Sequence, residues 1–301
     1  MRILLAAEES AGARSLQAVL KSSHELTGVL TSSADGAVGR EAVRHGIPVL
    51  PAKLLKDPAF AVEISRQPVD VLLNVHSLYV IRPEILGCFS FGCFNLHPGP
   101  LPDYAGMNAP SWALLNGEPR HGVTLHWITA GIDEGYIAYQ ECFNLSDGDT
   151  GLSVSMRCIT LGLDLVTRLL TTLSADPASV PRTAQDLSRR RYFGRQKPHG
   201  GRVPPEMTAV ELHRFVRASD YSPFASPWGH PLVQAGGREI GLVNVALTGA
   251  RSDQPAGTIA SRDGQVWLAA SDEWVVVRRI TSVGRAGDPL ALLHSPGEES
   301  A

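Results

Sequence analysis

The stretch Cys93-Phe94-Asn95-Leu96-His97-Pro98-Gly99-Pro100-Leu101-Pro102-Asp103-Tyr104-Ala105-Gly106 decides how this chain is read. Phe94, Leu96 and the apolar residues before them suit a buried strand. A strand sends every second side chain to the same face, so Asn95 and His97 leave its end together. Prolines at 98, 100 and 102 follow; they remove backbone donors and fix φ, which ends the strand in a rigid loop. A second loop, Thr129-Ala130-Gly131-Ile132-Asp133-Glu134-Gly135, follows a strand-like run from Val123 to Ile128 and carries Asp133 where turn chemistry accepts it. An amide, an imidazole and a carboxylate are the parts of an acyl-transfer site: an oxyanion donor, a proton-transfer group, and a group that orients or charges the imidazole. Singly, each reads as a packed strand-end residue or a plain turn; together they point to a site.

Working outward, Arg2 to Ala7 reads as a strand, Ser10 to Lys21 as a helix, and Leu26 to Leu30 as a second strand. The alternation continues through 39–45, 48–50, 58–66 and 69–75, which predicts a Rossmann-like, doubly wound, mostly parallel α/β sheet. The first strand-to-helix turn, AAEESAGA, lacks the GxGxxG spacing that admits a pyrophosphate, so a dinucleotide cofactor is not expected. Ligands of such sheets gather at the carboxyl ends of strands, here after Val75 and at Asn95 and His97. His76 reads as a polar strand cap. His126 reads as structural, though within reach of an acceptor. Asn108 to Asn116 is expected to be a short helix buttressing the proline loop. The apolar stripe at 152, 156, 159, 163, 166, 170 and 173 predicts a long covering helix with Met156 in the core.

With 301 residues, two domains are expected. Hydrophobic residues at 44% and charged residues at 19% describe an ordinary globular chain, with no uncharged apolar run of bilayer length and no membrane role expected. The apolar start is brief and soon meets Glu8 and Glu9, unlike a secretory leader, so a cytoplasmic location is expected. Cys88, Cys93, Cys142 and Cys158 form no CxxC pair and suit reduced thiols; no metal is expected. A net charge of -3 disfavours a nucleic-acid partner.

The boundaries read as 1–180 for the catalytic domain, 181–204 for a basic linker, 205–286 for a β-rich C-terminal domain and 287–301 for a loose tail. The linker holds Arg189, Arg190, Arg191, Arg195, Lys197 and Arg202; a solvated connector and a phosphate or carrier-arm contact explain it equally well. A capping box, Thr208-Ala209-Val210-Glu211, opens a helix in the C-terminal part. Short strands at 240–247, 257–259, 265–269 and 274–280 then suit a small antiparallel barrel or sheet.

Asn95, His97 and Asp133, each within its loop (NLHPGPLP and ITAGIDEG), resemble the folate-dependent N-formyltransferases of methionyl-tRNA, sugar nucleotides and amino acids. Gly99-Pro100 replaces the family's Ser-Leu, and Ala105 replaces an Arg usual before Gly106. The resemblance implies 10-formyltetrahydrofolate as co-substrate, the three residues as the catalytic set, and Leu78, Tyr79, Gly131 and Ile132 around the folate. It also implies an OB-like C-terminal domain. The NAPSW run after Met107 looks like natural-product formyltransferases, which implies a small amine acceptor: an amino acid, its hydroxylamine or a carrier-bound aminoacyl group. Ranked behind it are a nucleotide-linked amino sugar, methionyl-tRNA, hydrolysis of formyltetrahydrofolate, and folate binding without turnover.

Overall fold

The computed structural model describes residues 1–77, 79–235, 237–282, 285–287 and 289–292. They form two compact units that interleave along the chain: Met1–Gly106 with His121–Phe143 and Met156–Tyr192, and Met107–Arg120 with Asn144–Ser155 and Phe193–Ala301.

The chain opens as β1 (Arg2–Ala7), α1 (Glu9–Leu20), β2 (Glu25–Thr31), α2 (Ala37–Arg44), β3 (Val49–Pro51), α3 (Ala59–Arg66) and β4 (Val69–Val75). There follow α4 (Pro83–Leu86), β5 (Phe89–His97), the two-residue β6 (Ala105–Gly106), α5 (Ala109–Leu115), β7 (Arg120–Trp127), β8 (Ile137–Asn144) and α6 (Gly151–Ala175). The sheet order is β3-β2-β1-β4-β5-β7-β8. The pairs from β3 to β5 are parallel and β7 runs antiparallel to β5. The sheet is thus parallel-dominated, and its order reverses between β1 and β4, where clefts form in such folds.

Side-chain alternation distributes the core over both faces. Leu4, Ala6, Leu72 and Cys93 point to one face and pack with Leu55, Phe60, Ile64 and Ile85. The other face receives α1 and α6: a Cβ on Gly12 would lie 2.8 Å from Ala7, and one on Gly162 2.8 Å from Leu96. Each Leu or Val fully buried there contributes about 1.5–3 kcal/mol.

One expectation is corrected in α6. Met156 is 43% exposed, whereas Cys158, Leu165, Val166, Leu169, Leu170 and Leu173 are buried. Of the expected stripe Ile159, Val166, Leu170 and Leu173 are buried, and with Gly162 set against Leu96 the buried face also takes in Val154, Cys158, Leu165 and Leu169. This helix is long and apolar enough by composition to cross a bilayer, with a mean hydropathy of 1.3. Its buried leucines and its Arg157, Asp164 and Arg168 suit the core helix of a globular unit.

In the second unit α5 packs against α7 (Ala209–Ala218). Thr208 and Glu211 form the expected capping box, each side chain bonding the other's backbone N–H. After the two-residue β9 (Tyr192–Phe193) come β10 (Leu232–Ala235), β11 (Arg238–Arg251), β12 (Ile259–Arg262), β13 (Gln265–Ala269), β14 (Glu273–Ser282) and β15 (Arg285–Gly287). They pair antiparallel in the order β10-β11-β14-β13-β12, with β15 on β14. Register shifts in the long β11 curl this sheet. No pairing among the described residues joins β10 to β12 into a barrel. Of the expected tail, Pro289–Leu292 form a single 3-10 turn; residues 293–301 lie outside the described residues.

Candidate active site

Parallel and antiparallel register assemble a polar row at the carboxyl edge of the sheet. Asn74 on β4 pairs with Asn95 on β5, and Asn95 pairs with His126 on β7. These belong to the face that carries Cys93 and Leu72 deeper in, so the same alternation that builds the core delivers polar groups at its rim. The Asn74 amide donates to Asn95 Oδ1 at 2.7 Å. Asn95 Nδ2 donates to His126 Nε2 at 3.0 Å and lies 3.5 Å from Asp133 Oδ1.

His97 is buried, and its Nε2–H donates to the Tyr104 carbonyl at 2.6 Å. That bond leaves Nδ1 facing Asp133 Oδ2, 3.6 Å away. His126 Nδ1–H donates to the Trp127 carbonyl at 2.8 Å, and its Nε2 lies 3.3 Å from Asp133 Oδ1. Neutral His126 accepts from Asn95; protonated, it turns an N–H toward Asp133. The carboxylate also accepts the Gly106 N–H at 2.8 Å. The structure therefore brings Asn95, His97 and Asp133 together, and adds His126 and Asn74.

Two supports hold this cluster. Prolines leave the first loop short of donors, and its carbonyls are met by side chains instead. His121 Nε2 bonds Pro98 O at 3.0 Å, Thr124 Oγ1 donates to Gly99 O at 2.7 Å, and Gln140 Nε2 donates to Leu101 O at 2.9 Å. The second support is the segment after α6. Gln185 Nε2 donates to the carbonyls of Asp133 and Gly135 at 2.9 and 2.6 Å. Arg189 pairs with Asp103 at 2.7 Å, Arg190 donates to Ile132 O at 2.9 Å, and Arg191 donates to Asp103 O at 3.2 Å. The first three arginines of the basic run thus tie the two loops. Asp133 itself has φ +56, a left-handed conformation that Asp tolerates at a small cost.

Burial pushes the Asp133 carboxyl upward. The charges of His97 and His126, the His126 hydrogen bond and the Gly106 N–H outweigh it, holding the group well below the ordinary value of 3.8. Its folded pKa is therefore below its unfolded one. The stability it contributes is fully present above the unfolded value and is lost as pH falls through the folded value. Chemical denaturation between about pH 5 and pH 2 should show a steep loss of unfolding free energy in the wild type and a shallower one in Asp133→Asn; equal slopes would contradict the ion-pair account.

Of the residues expected near the folate, Leu78 lies outside the described residues. Tyr79 is half-buried against the cluster of Leu72 and Ile85, with Lys56 Nζ 5.2 Å from its ring centroid. Ile132 is 42% exposed at the tip of the Asp133 loop, beside Gly131. Asn74 and Gln185 carried no signal in the sequence. His126, expected to be structural though within reach of an acceptor, stands inside the cluster against Asn95 and Asp133.

The formyl transferase family model matches residues 1–169. Among solved structures, an N-formyltransferase from Helicobacter canadensis, in complex with folinic acid and dTDP-3-aminofucose, is similar over 91% of this chain and 98% of its own, at 18% identity and a TM-score of 0.70. A 4-N formyltransferase from Francisella tularensis is similar over 79% of this chain and 94% of its own, at 16% identity and a TM-score of 0.63. HypX from Aquifex aeolicus, in complex with tetrahydrofolic acid, matches 97% of this chain over 47% of its own length, at 20% identity and a TM-score of 0.61. Likeness at these identities speaks for the fold, while the family match spans more than half the chain: this protein belongs to the formyl transferase family.

Proposed function

We propose that this protein transfers the formyl group of 10-formyltetrahydrofolate to the primary amine of a small acceptor, and that the acceptor is a nucleotide-linked amino sugar. The observation that carries the transfer reading is the convergence of Asn95, His97 and Asp133 at one strand end. Because Tyr104 holds His97 Nε2–H, Nδ1 is the nitrogen available to the site. Protonated beside Asp133, it donates to the formyl oxygen as negative charge develops there, together with the Asn95 amide. Asp133 faces that nitrogen at 3.6 Å and carries no bond of its own to the substrate.

Two observations bear on the acceptor. The segment from Thr31 to Gly46 has no unpaired basic cluster: Glu41 holds Arg44 at 2.6 Å and His45 at 3.3 Å. Three of the linker arginines are also engaged within the first unit. Both disfavour a grip on tRNA phosphates. The dTDP-amino sugar named with the Helicobacter canadensis enzyme, which this chain matches over nearly its full length, supports the sugar class ahead of the amino-acid class. The Asn108-Ala109-Pro110-Ser111-Trp112 run keeps an amino-acid acceptor as the second reading.

The deciding measurement is incubation with 10-formyltetrahydrofolate and a panel of dTDP-amino sugars, free amino acids and charged initiator tRNA, reading formylated products by mass. Saturable formylation of an amino sugar is the expected result. Preference for ornithine or another amino acid would reverse the order, and salt-sensitive formylation of the tRNA would overturn the small-acceptor reading.

A further inference from the structure

His76 follows β4 directly, one strand away from His97. Asn74 pairs with Asn95 and Val75 with Leu96; His76 and His97 each come next along their own chain, and the two rings are close enough for the charge of one to act on the other. On its other side Ala7 pairs with Val75, and the chain turns into α1 at Glu9. His76 and Glu9 both hold left-handed backbone, with φ +59 and +57. Such conformations cost about 1–2 kcal/mol for residues with a side chain, and they gather where function maintains them.

Three imidazoles therefore stand at the rim, and their nitrogens are not equally free. His97 spends Nε2 on the Tyr104 carbonyl and turns Nδ1 to Asp133. His126 spends Nδ1 on Trp127 and Nε2 on Asn95 and Asp133. His76 makes no hydrogen bond among the described residues. The groups that act on its charge are Glu9, which favours the cation, and His97, which opposes it; burial is the largest influence and holds the ring neutral, below the ordinary histidine range.

We propose that His76 is a catalytic residue that takes the proton shed by the acceptor amine, a role that rests on the formyl-transfer reading above. An alkyl amine arrives as R–NH3+, and one proton passes to the His76 imidazole. The freed lone pair forms the new C–N bond to the formyl carbon, and the carbonyl electrons move onto oxygen, where Asn95 and His97 meet them. Collapse restores the C=O bond and breaks the bond to the folate nitrogen, which takes up the second amine proton. His76 then returns its proton to water. One C–N bond forms, one breaks, and one proton is released. A neutral imidazole with both nitrogens free suits the first step, whereas His97 and His126 each already hold a ring nitrogen on a backbone carbonyl.

The test compares wild-type protein with His76→Gln and His76→Asn, using a dTDP-amino sugar and, separately, hydroxylamine, which is unprotonated at neutral pH. With the sugar amine, kcat should fall about 100-fold in both variants, KM for 10-formyltetrahydrofolate should stay unchanged, and the deficit should shrink as pH rises. Hydroxylamine, which has no proton to shed before attack, should be formylated at the wild-type rate. Equal losses with both nucleophiles would mark a structural role and overturn the proposal, as would an unchanged kcat with the sugar amine. Wild-type protein that formylates no amine at all would overturn the transfer reading and this role with it; wild-type turnover that the variants match overturns this role alone.

Discussion

Asp133→Asn, His97→Ala and Asn95→Ala are each expected to lower formyl-transfer turnover about 100-fold or more while the protein stays folded. The magnitude follows from what each change removes. Asn at 133 keeps an oxygen for the Gly106 N–H, now 2.8 Å away, but deletes the negative charge that faces His97 Nδ1. His97→Ala deletes the donor itself, and Asn95→Ala deletes the second one along with the anchor for His126. The folded state should tolerate these losses because the three side chains sit at the ends of β5 and in a loop, outside the apolar cluster of the sheet. Combining any two should cost little more than the worse of the pair, since the groups act on one developing charge. Steady-state rates together with far-ultraviolet circular dichroism would check this. Near-normal turnover in His97→Ala would sink the mechanism, and additive losses would show that the three act separately.

Gly135→Ala should be the most damaging single methyl in the Asp133 loop. A Cβ at this position would stand 1.8 Å from the Trp127 carbonyl oxygen, a backbone atom at the end of β7 that cannot step aside without disturbing the strand. Overpacking against a fixed neighbour costs about 1–3 kcal/mol or more. The same shift would pull the Gly135 carbonyl from Gln185 and move Asp133, two residues away. We expect a lowered midpoint in thermal unfolding and turnover reduced beyond what the unfolded fraction explains. By contrast, Gly148→Ala has open space for its Cβ and should leave both unchanged. An unaltered midpoint in Gly135→Ala would show that the loop can lift away from β7.

Local pattern carried much of the architecture. The spacing of apolar residues predicted β4 at Val69–Val75 and β13 at Gln265–Ala269 with the bounds observed, and Thr208 with Glu211 announced the start of α7. The amino-acid sequence alone assigns Asn95 and His97 to one face, because a period of two is a property of the strand itself. Strand β8 gave no clear reading because Gln140, Glu141 and Asn144 interrupt its apolar residues, and it draws its order from pairing in the sheet.

Tertiary structure decided everything that depends on which strand lies beside which. The antiparallel pairing of β5 with β7 sets His126 opposite Asn95, a consequence of register between segments about thirty residues apart that no local period encodes. The parallel pairing of β4 with β5 does the same for Asn74. Charge count left the arginines at 189–191 open to several roles, and their contacts with Asp103 and Ile132 assign them to the two loops. Met156 falls on the apolar stripe of the sequence yet faces outward, because the close approach of Gly162 to Leu96 sets the rotation of α6. Periodicity is written within each segment, whereas rotation and register are settled by the free energy of packing segments against one another.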